Sequence, residues 1–254
     1  MPYLFSRVMQ VLLRRRAAIA ACAIGGTLLF SSLLCAQELK EYLSGIKWPE
    51  VKVVDPGSVG GPPGDAIVLF DGKDMSQWDG GEKWIVKDGY AITNRSDIRS
   101  KQAFGDCQLH MEWASPEEIQ GSGQGRGNSG VYLMGLYEVQ ILDSHDNSTY
   151  PDGQAGAIYK QHPPLVNACR KPGEWQTYDI IFSAPRFDEQ GQLTKPAYVT
   201  VLHNGVLVQN HFELPGATSY TEAPKYTGHP AKLPLQMQYH NNKVRYRNIW
   251  IREL

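Results

Sequence analysis

The stretch from Gly127 to Asp143 constrains the fold of this chain more than any other part of the sequence. It predicts two short strands joined near Gly135, and the second strand alternates between apolar and polar residues. Glu138 and Gln140 fall on one side of that strand, opposite three apolar residues. Charged residues are uncommon in the middle of a strand, so the polar side either lines a groove or is the solvent-exposed face of a sandwich.

Further strands are indicated along most of the chain by alternating or apolar runs between turn residues. They are predicted at 66–70, at 84–92 as a hairpin around Asp88-Gly89, at 106–114, 175–184, 197–203 and 206–210, and as a closing pair at 234–240 and 244–251. Asn204-Gly205 is a second strong signal for a hairpin turn. Beyond the N-terminal segment we find no long amphipathic helix. The sequence therefore predicts one all-β domain of about ten to fourteen strands, a two-sheet sandwich of the jelly-roll type.

The first 36 residues have the layout of an export signal. Three arginines at 14–16 precede an apolar run at 17–34, and the small residues Cys35 and Ala36 follow. We expect cleavage after Ala36 and an exported protein, periplasmic or extracellular. The run is almost long enough to stay as a membrane anchor, whereas lipidation of Cys35 ranks last because Leu34 is large. Residues 37–64 are expected to form a linker, and residues 65–254 the domain.

Charge and motif content exclude several classes of function. A net charge of −1 gives no electrostatic reason to bind nucleic acid, and membrane contact is expected only if the N-terminal segment is retained. The sequence has no phosphate loop, dinucleotide fingerprint or nucleophile elbow, so no nucleotide cofactor is expected. Cys107 and Cys169 would remain after export, where they are either bridged or buried as small apolar residues.

Three sets of polar residues alternate at period two along predicted strands. They are Gln108, His110 and Glu112; Glu138 and Gln140; and Gln236, Gln238 and His240. If their strands share a sheet, the three sets share one face and line one groove. Amides and carboxylates suit sugar hydroxyls, and a histidine with a carboxylate offers acid and base catalysis or divalent metal ligands. Each histidine could equally be a hydrogen-bonded structural residue.

Seven segments spread over the domain carry motifs that occur together in one family. They are 69–72, 127–133, 137–144, 156–159, 173–180, 201–206 and 247–252. In these motifs the chain resembles the 3-keto-disaccharide hydrolase family, long known as a domain of unknown function. The resemblance implies a concanavalin-like two-sheet jelly roll. It also implies activity on 3-keto-glycosides, since some members are described as 3-keto-glucoside 1,2-lyases and 2-hydroxy-glucal hydratases.

The implied reaction gives roles to residues at the matching positions. A ketone at C3 acidifies the C2 proton, so a base can remove this proton and expel the C1 aglycone before water adds back. The resemblance implies Glu138 and His240 as the catalytic pair. Four more residues are expected to contact the sugar: Asn128, Gln140, Lys160 and Arg247.

A divalent metal ion is a further expectation, because it could stabilise the enolate formed when the C2 proton leaves. The candidate ligands are His110, Glu112, Glu138 and His240. One departure from the family pattern affects this site. Where members often have Gln-Asp-His-Gly, this chain has Gln-Tyr-His-Asn at 238–241, so an acid is missing beside the histidine.

Two other classes of function stay open. A non-catalytic carbohydrate-binding module can use the same fold, but such a module usually presents stacking Trp or Tyr, whereas the predicted face carries Glu, His and amides. A surface-interaction protein would use residues 37–64 as a tether. We favour the enzyme, acting on a 3-keto sugar or glycoside.

Overall fold

The computed structural model describes residues 41–254 and confirms the all-β prediction. Residues 41–51 are exposed, have no regular secondary structure and belong to a unit separate from 52–254. The predicted export signal at 1–36 lies outside the described residues. Within those residues, no helix is long and apolar enough to cross a membrane.

Residues 52–254 contain fifteen strands and three single-turn 3₁₀ helices. The strands are β1 (Ile67–Phe70), β2 (Trp78–Asp79), β3 (Ile85–Lys87), β4 (Tyr90–Ile92), β5 (Ile98–Phe104), β6 (Cys107–Ala114), β7 (Ser129–Leu133), β8 (Tyr137–Ile141), β9 (Gln176–Ser183), β10 (Arg186–Phe187), β11 (Leu193–Lys195), β12 (Tyr198–His203), β13 (Val206–Glu213), β14 (Leu233–Met237) and β15 (Arg245–Glu253). The 3₁₀ helices are Gly81–Lys83, Gly123–Gly125 and Pro151–Gly153.

The strands form a two-sheet sandwich of the jelly-roll type. The larger sheet has eight strands in the order β13-β12-β9-β6-β15-β4-β3, with β1 beside β15, and the smaller sheet has five in the order β2-β5-β14-β7-β8. One apolar core takes residues from both sheets, such as Trp113 of β6 and Val139 of β8, which are both fully buried. Each such side chain contributes roughly 1.5–3 kcal/mol by leaving water, so the core stabilises both sheets together.

Two predicted hairpin turns are confirmed at the backbone level. Asp88 and Gly89 have φ of 51° and 79° between β3 and β4, and Asn204 and Gly205 have φ of 53° and 77° between β12 and β13. Positive φ at both central residues matches the twist of the flanking strands. These turns were predictable because the conformation depends on the two residues themselves.

The predicted closing pair at 234–240 and 244–251 is wrong. β14 pairs with β5 and β7 in the smaller sheet, whereas β15 pairs with β1, β4 and β6 in the larger one. The segment between them crosses from one sheet to the other. Asn242, within this segment, accepts hydrogen bonds from residues beside both sheets. Its carbonyl accepts from Thr93 Oγ1 at 2.6 Å, and its Oδ1 accepts from the Gly127 amide at 2.9 Å.

The two cysteines within residues 41–254 are not bridged. Cys107 lies on β6 with 2% of its surface exposed, as expected for a small apolar residue. Burial raises the pKa of the Cys107 thiol to about 12 and that of Cys169 to about 11. Both thiols are therefore poor nucleophiles at neutral pH.

Candidate active site

The candidate site lies on the face of the smaller sheet that points away from the core. β7 and β8 pair so that Tyr132 lies opposite Glu138 and Gly130 lies opposite Gln140. β14 extends the same face, since Gln236 lies opposite Tyr132. Residues that alternate with these ones fill the core, so the register of the sheet fixes which side chains reach the site.

A cavity of about 170 Å³ lies over this face. Its lining residues are Asn128, Tyr132, Glu138, Gln140, Tyr159, Thr218, Ser219, Tyr220, Gln238 and His240. Four of the six residues predicted to be catalytic or substrate-binding are among them, namely both members of the catalytic pair and two groove contacts. The structure thus brings Glu138 and His240 into one cavity.

Glu138 is the buried acid of this cavity, with 3% of its surface exposed. Burial raises the pKa of its carboxyl group to about 8; the nearby negative charge of Asp97 adds to the rise, and a hydrogen bond from Tyr132 opposes it. The backbone is held as well, because the Glu138 amide donates to Thr218 Oγ1 at 3.0 Å and its carbonyl accepts from the Tyr159 amide at 3.2 Å. A fixed carboxyl group with a pKa near neutrality suits general acid and base catalysis.

Gly130 provides the space that the Glu138 carboxyl group occupies. A Cβ atom at position 130 would overlap Oε1 of Glu138 and lie 3.0 Å from Cδ. The φ of Gly130 is not positive, so its backbone conformation is open to other residues. The glycine is therefore required by the neighbouring side chain and not by the backbone.

Amide side chains form a connected network on one wall. Gln140 Nε2 donates to Gln124 Oε1 at 3.1 Å and lies 3.4 Å from Asn128 Oδ1, while Asn128 Nδ2 donates to the Gln124 carbonyl at 2.7 Å. Gln238 Nε2 donates to the Tyr132 hydroxyl at 3.2 Å. The Oε1 atoms of Gln140 and Gln238 have no hydrogen-bond partner among the described residues. Buried acceptors are normally satisfied, so two unpaired oxygens in one wall are unusual, and both are shielded from solvent as the side chains stand.

His240 occupies the exposed rim of the cavity. The strand predicted at 234–240 ends earlier, at Met237, so His240 belongs to the segment that crosses between the sheets. Its carbonyl accepts from Asn242 Nδ2 at 2.8 Å. An exposed imidazole can exchange protons with water, which the buried Glu138 cannot do as easily.

Three tyrosines line the cavity, although the sequence analysis named none of them. Tyr132 could have been found from the pairing of 127–133 with 137–143, because it shares a face with Glu138. Tyr159 lies one residue before Lys160, and its hydroxyl is 2.7 Å from that of Tyr150. Tyr220, 76% exposed, comes from a distant loop with no local signal. The expectation of a face without stacking aromatics is therefore wrong.

The expectation that all three polar sets share one groove is also wrong, because β6 belongs to the larger sheet. Arg247 lies there too, where its Nε is 2.6 Å from Glu112 Oε2 and its guanidinium is 4.1 Å from the centre of the Trp175 ring. His110 Nδ1 is 2.7 Å from Asp179 Oδ1. These residues form a charged network that does not line the cavity.

The remaining predicted residues do not form a single site either. Lys160 adopts a φ of 61° and places its ammonium 3.5 Å from the centre of the Tyr150 ring, outside the cavity lining. In the part of the chain that the structure describes, no three His, Cys, Asp or Glu side chains are grouped so that they could hold a metal ion. Of the four candidate metal ligands, His110 and Glu112 lie on the larger sheet, Glu138 lies on the smaller sheet and His240 lies in the crossing segment, so they do not fit one metal site.

One family model and several solved structures are similar to this chain. The model of a family described as the 3-keto-alpha-glucoside-1,2-lyase-like domain matches residues 65–252. A crystal structure from Parabacteroides distasonis, whose assignment as a glycosyl hydrolase is provisional, has 47% identity, covers 83% of this chain and 95% of its own, and gives a TM-score of 0.79. Two more crystal structures from that organism, with the same provisional assignment, have 22% and 21% identity. They cover 74% and 75% of this chain and 99% and 94% of their own, and their TM-scores of 0.53 and 0.55 show the fold alone. The comparison with curated proteins found no match.

Proposed function

This chain belongs to the 3-keto-alpha-glucoside-1,2-lyase-like family, and we propose that it cleaves 3-keto-glycosides by elimination followed by hydration. The observation that supports this most is a buried carboxyl group, Glu138, with its pKa raised to about 8 in a cavity lined by amides and tyrosines. Removing a proton from carbon needs a base stronger than an ordinary carboxylate, and burial makes Glu138 such a base.

Glu138 acts in the proposed first step. The C2–H bond breaks, the proton moves to the carboxylate, and the electron pair forms an enolate with the C3 ketone. The enolate then re-forms the ketone while a C1=C2 bond forms and the C1–O bond to the aglycone breaks. Addition of water, with hydroxyl to C1 and a proton to C2, completes net hydrolysis.

The other cavity residues have positioning and proton-transfer roles in this proposal. His240, at the exposed rim, protonates the departing aglycone oxygen and recovers its proton from solvent. The side chains of Gln140 and Gln238 line the cavity, where their amides hydrogen-bond to sugar hydroxyls. Such contacts hold the C2 proton near Glu138, and correct positioning accounts for a large share of a typical rate enhancement.

A carbohydrate-binding module is the second candidate, and the three tyrosines that line the cavity are the observation in its favour. Glu138 favours the enzyme. Burying a carboxyl group destabilises the folded chain, and stacking on tyrosine does not require it. Strongly shifted acids in clefts are typical of catalytic sites.

Reaction in D₂O tests the proposed function. We expect the protein to release the aglycone from methyl 3-keto-α-glucoside and to yield a sugar that carries deuterium at C2, because the proton that returns comes from solvent. Mass spectrometry of the product measures this. The matched glycoside with a hydroxyl at C3 should not react, since its C2 proton is not acidic. Cleavage of that control without C2 exchange would indicate direct displacement, and binding without cleavage would indicate the module.

Gly130→Ala is expected to lower turnover about tenfold to 10²-fold, because the new methyl group displaces the Glu138 carboxyl group. The melting temperature should change little, since alanine is compatible with the strand. Gly125→Ala is the matched control, as nothing lies within 4 Å of a Cβ built there. Full activity in Gly130→Ala would mean that the observed position of the carboxyl group is not the one used in catalysis.

A further inference from the structure

A second pocket, of about 270 Å³, lies beyond the ends of three strands of the smaller sheet. Its lining includes Gly127 before β7, Asp143 after β8, and Asn241 and Asn242 after β14. β7 is antiparallel to both β8 and β14, so these three ends lie on the same side of the sheet. We call this the strand-end pocket.

Two residues that line the strand-end pocket are neighbours, along the chain, of residues that line the cavity containing Glu138. Asn128 and His240 line the cavity, and the residues next to them along the chain, Gly127 and Asn241, line the strand-end pocket. On each of these two segments, the lining of the cavity and the lining of the strand-end pocket are thus one residue apart. A ligand that extends from the cavity into the strand-end pocket would pass Asn128 and His240 on the way.

The floor of the strand-end pocket is electrically neutral. Arg126 Nε lies 2.6 Å from Asp143 Oδ2, and the two side chains are only 10% and 2% exposed. The guanidinium also donates to the carbonyls of His145 at 2.8 Å and Asp146 at 3.3 Å. Because this cation is already paired with a carboxylate, the floor does not select an anionic ligand.

The rim of the strand-end pocket combines an apolar surface with hydrogen-bonding groups. Ile119 is 55% exposed and offers the apolar surface. Gln120 and Asn241 supply amides, while Glu118 and Lys243 supply charges of opposite sign. A sugar ring has an apolar face and a hydroxyl-bearing edge, so this lining suits a neutral sugar.

We propose that the strand-end pocket binds the leaving sugar of a 3-keto disaccharide while the keto sugar occupies the cavity. The proposal rests on the proposed function of the cavity. Typical small-molecule sites measure roughly 300–1,000 Å³. Neither volume reaches that range alone, whereas the two together do. The strand-end pocket therefore determines which aglycone is preferred, and the reaction takes place in the cavity.

The test compares two substrates, a 3-keto disaccharide and methyl 3-keto-α-glucoside, which lacks the second ring. The variant is Ile119→Ala combined with Lys243→Ala. We expect the ratio of kcat/KM for the disaccharide to kcat/KM for the methyl glycoside to fall about tenfold, because only the larger substrate reaches the pocket. Ile85→Ala combined with Lys87→Ala, on exposed positions of β3, is the matched control and should keep the wild-type ratio.

An unchanged ratio in the pocket variant would overturn the proposal, and so would an equal loss for both substrates, which would indicate a distorted cavity. Calorimetric binding of the same two compounds distinguishes failure of this pocket proposal from failure of the proposed function. If neither compound is cleaved, the disaccharide should still bind about tenfold more tightly than the methyl glycoside, and the pocket variant should lose that difference. Equal affinities in the wild-type protein would overturn the proposal.

Discussion

Glu138→Gln is expected to lower turnover of a 3-keto-glycoside by about 10²-fold or more, the usual scale for loss of a positioned base. Glutamine keeps the size of the side chain and cannot accept the C2 proton. The strand should be retained, because Val139 and Ile141 on its other side stay in the core. Steady-state kinetics alongside thermal melting measures both effects. Exposed Glu174→Gln is the matched control.

His240→Gln is expected to lower turnover on the same scale if the two residues act in one step. The double variant should then lose little more than either single variant, because residues that act as a unit are not additive. Near-normal turnover in both single variants, with unchanged melting, would contradict the assignment. Tyr132 and Tyr159 would then be the next residues to replace, since they line the same cavity.

Glu138→Gln is also expected to gain stability relative to the wild-type protein as pH rises, by roughly 3–5 kcal/mol between pH 4.5 and pH 9. Below pH 4.5, the ordinary pKa, the carboxyl group is protonated in both the folded and unfolded chain, so its ionisation does not affect stability. Between pH 4.5 and about 8 the unfolded chain ionises first, and the wild-type protein loses stability as pH rises. Glutamine stays neutral and avoids this loss.

Urea unfolding of both proteins at pH 4.5, 7 and 9 measures the effect. Subtracting the free energy of unfolding of the wild-type protein from that of the variant cancels the titration of all other groups, because the two proteins share them. The difference should grow with pH and approach its limit above pH 8. A difference that is constant with pH would mean that burial does not hold the carboxyl group neutral in the folded protein. If the difference grows with pH as expected, activity and stability depend on Glu138 in opposite directions, as is common in active sites.

Local patterns were sufficient to predict most of the longer strands and their inward faces, but not which strands become neighbours. The alternation around Glu138 and around His110 is equally regular, yet β8 and β6 belong to different sheets. Pairing between distant segments depends on the whole core, so no local pattern reports it. β5 gave no clear signal because Arg99, Lys101 and Gln102 interrupt its apolar residues.

The same limit explains which parts of the candidate site were predicted. Asn128, Glu138 and Gln140 lie on two strands joined by a short turn, so their common face follows from register. Thr218 is 80 residues from Glu138 along the chain and still accepts its amide hydrogen. A loop that folds back over the cavity in this way carries no periodicity, and only the structure places Thr218 and Tyr220 there.

The crossing segment has a mechanical consequence for the two proposed catalytic residues. Glu138 is held within the smaller sheet, whereas His240 precedes Asn242, which is bonded to Thr93 beside the larger sheet and to Gly127 beside the smaller one. The position of His240 is therefore linked to segments beside both sheets, whereas Glu138 belongs to a strand of the smaller sheet. We therefore expect substitutions of fully buried core residues such as Trp113 to change turnover as well as stability, because the core sets the spacing between the two sheets.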